Sequence, residues 1–322
     1  MGTRSAFLLP GPDWLIESPA EEMFVRRAFT PEQFFQELAS WDLSCGVRVS
    51  ALRGALFAFD FTNYPEGGSP ASSDGDDYFD DLIRGTQARV RLINAFSLCL
   101  HSSRISEENL ETDGFRIDHF DLLHLTNEEP PSVSGQAIAA IPVIPGLGFT
   151  VDFRRGGAVP ASTIQYACDL LDFVISHDVS KAFDLVVLMN DALASFKAHD
   201  FSASLITAWT VCETLIEHRW KGYVAKQCES GAPLTSDRKK LLFGRDYTIS
   251  IITQILELAH ALEPDMLALL DRVRKRRNAW MHSIKAPTYL EAADSLNAAA
   301  ILLSQALGRD IPIGRSIGAS GF

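Results

Sequence analysis

Near its C-terminus the chain runs Leu270-Asp-Arg-Val-Arg-Lys-Arg-Arg-Asn-Ala-Trp-Met-His-Ser283, and these residue types at this spacing could handle a phosphate. In a helix, at about 100° per residue, Arg274, Asn278 and His282 follow one another along a single stripe. Arg277 lies close enough for its long side chain to swing beside His282. A guanidinium, an amide and an imidazole would then meet, with Arg272, Lys275 and Arg276 adding positive charge around them. The planar fork of arginine matches phosphate oxygens, and imidazole is the side chain type that ordinarily exchanges protons near neutral pH. Leu269, Leu270, Val273, Trp280 and Ile284 supply apolar anchorage, and Met281 is read as a further apolar contact.

The order Arg277-Asn278, three residues, then His282 resembles the Arg-polar-x3-His signature of HEPN domains, the higher eukaryote and prokaryote nucleotide-binding helical family. The likeness covers the last half of the chain, because Ser202 to Val224 also resembles the family's long first helix, with Glu213 as its internal acidic residue. The N-terminal half carries no comparable signature. The resemblance implies a helical bundle and a metal-independent endoribonuclease, acting as a homodimer in which two motifs meet across the interface. By that resemblance His282 assists proton transfer at the attacking 2'-hydroxyl or the leaving oxygen, and Arg277 stabilises charge on the phosphorane-like transition state. Asn278 then holds the phosphate or orients the histidine. Glu213 orients Arg277 or His282, or else pairs with Arg219 or Lys221 or simply faces water, while Arg272, Arg274, Lys275 and Arg276 serve as supporting contacts to RNA. A toxin or phage-defence effector, with an antitoxin or regulatory protein as partner, is the setting it implies. The same residues also allow a non-catalytic, HEPN-like module that binds nucleotide or mediates dimerisation.

Charge is unevenly placed. The net charge of −12 argues against indiscriminate nucleic-acid binding. Residues 1–160 hold 12 Lys and Arg against 23 Asp and Glu, whereas residues 161–322 hold 17 against 18. The basic run therefore sits in a nearly neutral half of an acidic chain, as a selective phosphate site would. Without Asn278 and His282 at matched spacing, a solvated helix face would be the simpler account.

Cys45, Cys99, Cys168, Cys212 and Cys228 form no CxxC pair, and no HExxH occurs. Buried, reduced thiols are expected, with no metal and no cofactor. Asp74, Asp76 and Asp77 lack the glycine and terminal glutamate of a calcium loop. His119 and His124 are read as structural or surface residues. No leader-like opening and no run of about eighteen apolar residues is seen, so the expectation is a soluble, cytoplasmic protein with no membrane partner.

The chain length suits two domains, and the fold class expected is mainly α. A smaller, irregular α+β domain over 1–158 precedes a HEPN-like helical bundle over 159–308, and 309–322 is read as a loose tail. In the first part, Thr30-Pro-Glu-Gln33 predicts a capped helix running to about Trp41. The alternation from Cys45 to Phe61 predicts a hairpin turning at Arg53-Gly54. Residues 63–77 read as a mobile loop rich in Gly, Pro, Ser and Asp. A helix is predicted over Asp80 to Ser103, and strand over the start of Phe115–Leu125 and over Phe149–Phe153. In the second part, helices are predicted over Ala161–Ser176, Lys181–Ala198, a long segment capped by Asp200, Thr248–Leu262, the motif helix from Pro264, and Tyr289–Leu307. The interval from Glu229 to Lys240 reads as a polar break.

Overall fold

The computed structural model describes residues 4–8, 13–16, 27–66, 76–111, 115–118, 121–125, 133–134, 143–144, 148–151, 157–179, 181–229, 234–244 and 247–315. Over these residues the protein is mainly helical with an N-terminal sheet. The chain divides into two compact units, one formed by Met1–His177 with Ser320–Phe322 and one by Asp178–Ala319.

The first unit is built on the strands β1 (Arg4–Leu8), β2 (Asp13–Leu15), β3 (Arg27–Phe29), β4 (Glu37–Asp42), β5 (Arg48–Leu52) and β6 (Leu56–Asp60). Later strands are β7 (Leu123–Leu125), β8 (Val133–Ser134), β9 (Val143–Ile144), β10 (Gly148–Val151) and β11 (Gly157–Val159). Its main sheet has the order β4-β5-β6-β1-β7-β8, with two smaller sheets β3-β10-β9 and β11-β2. Strand β6 sits between two antiparallel partners, with Phe57 opposite both Phe7 and Ala51. A strand buried on both faces reads as a continuous apolar run, and the Leu56-Phe-Ala-Phe stretch is fully buried.

The β5–β6 connection is the three-residue turn Arg53–Ala55, with Ala55 at φ 61° in the left-handed position that such a loop requires. Helix α2 (Asp76–Glu108) lays Phe96 edge-on against Phe57 and Phe59, at 5.1 and 5.3 Å between ring centres.

Thr30 and Gln33 do form a reciprocal capping box, at 3.2 and 3.3 Å. Yet helix α1 covers only Pro31–Phe34, and the residues expected to continue it to Trp41 form β4 instead. The carbonyls of Phe34 and Gln36 accept from the backbone of Gly54 and Arg53, so they are not available to a following helical turn. The Phe34 ring also fills the space at Gly54, where an added Cβ would lie 2.6 Å from it. Pairing with β5 outweighs the local helix signal.

Helix α2 begins at Asp76 and so takes in Asp76 and Asp77, while Asp74 and residues 67–75 of the expected mobile loop lie outside the described residues. His124 is on β7, and His119 lies outside the described residues. Helix α3 (Ala161–Ser176) occupies its expected span. It packs with α2, and its Asp172 accepts hydrogen bonds from the backbone N–H and hydroxyl of Ser44. The chain's division groups α3 with the first unit, whereas the Gly-containing stretch before Pro160 and the helical pattern after it suggest a boundary at 158.

The second unit is helical: α4 (Ala182–Lys197), α5 (Phe201–Glu229), α6 (Ser236–Leu242), α7 (Ile249–Leu258), α8 (Pro264–Ser283) and α9 (Tyr289–Leu307). Asp200 caps α5 by accepting from the N–H of Ala203 at 3.0 Å. Helix α5 is the centre of this unit and packs on α4, α7, α8 and α9. Ala292, Ala298 and Ala299 of α9 are buried, and their small side chains let the two helix backbones approach closely.

The expected polar break contains α6, capped by the Thr235 hydroxyl. After α9 the chain is not loose as far as Arg315. Ile311 is buried with its N–H on the Ser304 hydroxyl, and the Tyr289 hydroxyl donates to the Arg315 carbonyl.

Asn94 of α2 is buried and bonded at both ends of its amide to the Ile117 backbone, at 2.9 and 2.8 Å. Replacing it with alanine strands a buried N–H and carbonyl. Asn94→Ala should lower the urea midpoint by the equivalent of about 2 kcal/mol, while Asn94→Gln should restore little because its longer side chain misses the register.

Candidate functional site

Proline at the first position starts α8, and the residues facing the unit's interior recur at helical spacing: Met266, Leu269, Leu270, Val273 and Arg276. The helix ends at Ile284, which adopts the left-handed conformation at φ 52° with its N–H on the Trp280 carbonyl. That conformation is unfavourable for a β-branched residue, and something nearby must hold it. Ile284 is 78% exposed, so it supplies none of the anchorage expected of it. Met281 is likewise exposed, and Trp280 is half-buried.

The element that holds this end is Arg276. Its guanidinium is buried and donates to the carbonyls of Lys285, at 3.1 Å, and of Ala286. Its Nε lies 3.0 Å from Glu291 Oε2, an ion pair whose angle falls short of a hydrogen bond. Glu291 is also the third residue of a capping box on α9, accepting from the N–H and hydroxyl of Thr288. Arg276, expected to reach RNA, is thus turned inward and committed.

The other cations of the run are mostly spoken for. Asp271 takes both Arg274 and Lys275, each at 2.6 Å. Bonds from Lys275 and then Arg274 hold the Asp271 carboxyl below the usual carboxylate range. Arg272 meets Asp294 at 3.3 Å on the surface. Arg277 alone among the arginines of this run has no acidic partner among the described residues, and its one bond runs to the Asn278 side chain at 3.2 Å. His282 is exposed in the last turn.

Helix α8 therefore places Arg277 beside Asn278, and His282 one turn further on. It does not bond His282 to either of them among the described residues. Glu213 is half-buried on α5, with no hydrogen bond to Arg277 or His282 and none to Arg219 or Lys221 among the described residues. Arg219 instead donates to Gln305 at 2.9 Å.

Asp271, Glu291 and Asp294 were not singled out by the sequence. Asp271 stands three and four residues before its partners, and Glu291 three after Thr288, so both were visible in spacing. No described group of three or more His, Cys, Asp or Glu side chains could hold a metal ion. No described helix is long and apolar enough to cross a membrane. No family model, curated protein or solved structure matches this chain.

Burial opposes the charge of Glu291, but the Thr288 bonds and the charges of Arg276 and Lys285 leave its carboxyl below the usual range. A lowered carboxylate stabilises the fold above its ordinary value of 4.5 and loses that contribution as pH falls below it. A double-mutant cycle of Arg276→Ala and Glu291→Ala should show about 1 kcal/mol of coupling at pH 7, modest because Glu291 is partly solvated. The coupling should vanish in acid below that range. Equal coupling at both pH values would show that the pair is not electrostatic.

Proposed function

We propose that the second unit is a HEPN-type, metal-independent endoribonuclease whose site is completed by a homodimer. The observation that carries this is the selective freedom of Arg277. In a run whose other arginines meet carboxylates or carbonyls of the same unit, Arg277 rests on Asn278 alone among the described residues. A solvated helix face made only for solubility gives no reason for that pattern.

In the chemistry proposed, the ribose 2'-hydroxyl loses its proton to one imidazole and attacks the adjacent phosphorus. The P–O bond to the 5'-oxygen breaks, a second imidazole protonates that oxygen, and a 2',3'-cyclic phosphate remains. Arg277 neutralises the charge that builds on the non-bridging oxygens, and Asn278 holds the same phosphate. One histidine cannot conveniently act as base and acid in one step, and a symmetric pair of chains supplies two. A toxin or phage-defence role suits such an activity, with an antitoxin or regulatory protein as the expected partner. The acidic first unit would then act as sensor or restraint.

The exposed His282 has no orienting bond among the described residues, and this favours a second reading, a nucleotide-binding or dimerisation module. The two are separated by assay. Purified protein should cut RNA in EDTA, and Arg277→Ala or His282→Ala should each slow cleavage by about 100-fold or more with unchanged melting temperature and mass in solution. Equal cleavage by wild type and both variants contradicts the proposal. Stabilisation by a nucleotide without any cleavage selects the second reading.

A further inference from the structure

The last turns of α5 and helix α6 border an open cleft of about 680 Å³, within the size range of small-molecule sites. Its walls are held by Trp220, which is buried, donates its indole N–H to the Leu242 carbonyl at 3.0 Å and stacks on Tyr223 and Tyr247. Val224, Ala225, Leu234 and Phe243 give the cleft an apolar lining. Phe243 is a large aromatic left 38% exposed at this place. Lys221, Lys239 and Lys240 also line it, and none of them has an acidic partner among the described residues.

Three exposed lysines without acidic partners among the described residues border this one apolar surface, in a chain of net charge −12. An anionic group seated on this surface would be attracted by all three. Apart from the Ser236 hydroxyl, the described side chains lining the cleft offer donors and apolar surface, with no amide or carboxylate among them. Such a lining does not read the donor and acceptor pattern of a base edge. It suits a ligand with an apolar body and an anionic head, and three cations suit the two charges of a phosphate monoester better than the single charge of a carboxylate.

We propose that this cleft binds an organic phosphate monoester with an alkyl or aryl body. The site is separate from the motif at the end of α8. The pKa of Arg219, two residues before Lys221 of the cleft on α5, is pushed down by burial, partly offset by the charge of Glu263 at the start of α8. Arg277 lies beyond Pro264 by roughly 20 Å of helix. The inference does not rest on the ribonuclease reading.

Isothermal titration of the full chain with decyl phosphate below its micelle concentration should show saturable binding at one site per chain. Decanol, inorganic phosphate and decanoate should each bind at least about ten-fold more weakly. The exposed double variant Lys239→Gln/Lys240→Gln should weaken decyl phosphate by about ten-fold, and Ala225→Trp, which keeps every charge, should remove binding by filling the cleft. Melting temperatures of the variants report that each remains folded, and RNA cleavage should be unchanged in both. Absence of saturable binding, equal affinity for decanol, or undiminished binding in Ala225→Trp would overturn the proposal. Displacement of decyl phosphate by an equimolar single-stranded oligonucleotide would assign the cleft to nucleic acid and overturn it as well.

Discussion

The Arg276 guanidinium ties together the end of α8, the turn that follows and the start of α9. Its fork reaches the Lys285 and Ala286 carbonyls, and its Nε faces Glu291, which in turn caps α9 through Thr288. The left-handed Ile284 lies inside this arrangement, where an unfavourable backbone conformation persists because the surroundings over-determine it. A buried cation is costly unless it is paired and hydrogen-bonded, and here Nη2 bonds to two carbonyls while Nε is met by the charge of Glu291.

Neighbouring arginines consequently have opposite roles. A step of one residue turns a helix by about 100°, so Arg276 faces the interior with Val273 and Leu269, whereas Arg277 faces away beside Asn278. Counting positive charge along the run overstates what a phosphate would meet, because Asp271, Asp294 and Glu291 already claim most of it. The local charge that remains is small and specific.

Much of the second unit was legible because its elements obey local rules: Pro264 opens α8, Asp200 caps α5, and the alanine-rich run from Tyr289 to Leu307 forms α9. Helix α6 was harder to see, since its seven residues carry no buried side chain and so leave no apolar period. In the first unit, local rules misled at Thr30. The capping box forms, but the carbonyls that would extend the helix are taken by Arg53 and Gly54, which are distant in sequence. Sheet pairing of this kind is not written in any short window. For the site, the types and spacing of Arg277, Asn278 and His282 were visible, but the inward turn of Arg276 was not, because a buried arginine and a solvated one look alike until their partners are known.

The most direct test compares Arg276→Lys with Arg277→Lys, measuring melting temperature and RNA cleavage per folded molecule in EDTA. Lysine keeps the charge and loses the fork. Arg276→Lys should lower the melting temperature and keep the cleavage rate, whereas Arg277→Lys should keep the melting temperature and lose at least about ten-fold in rate. A stable Arg276→Lys with impaired cleavage, or an unstable Arg277→Lys with normal cleavage, would contradict the division of roles between these two residues.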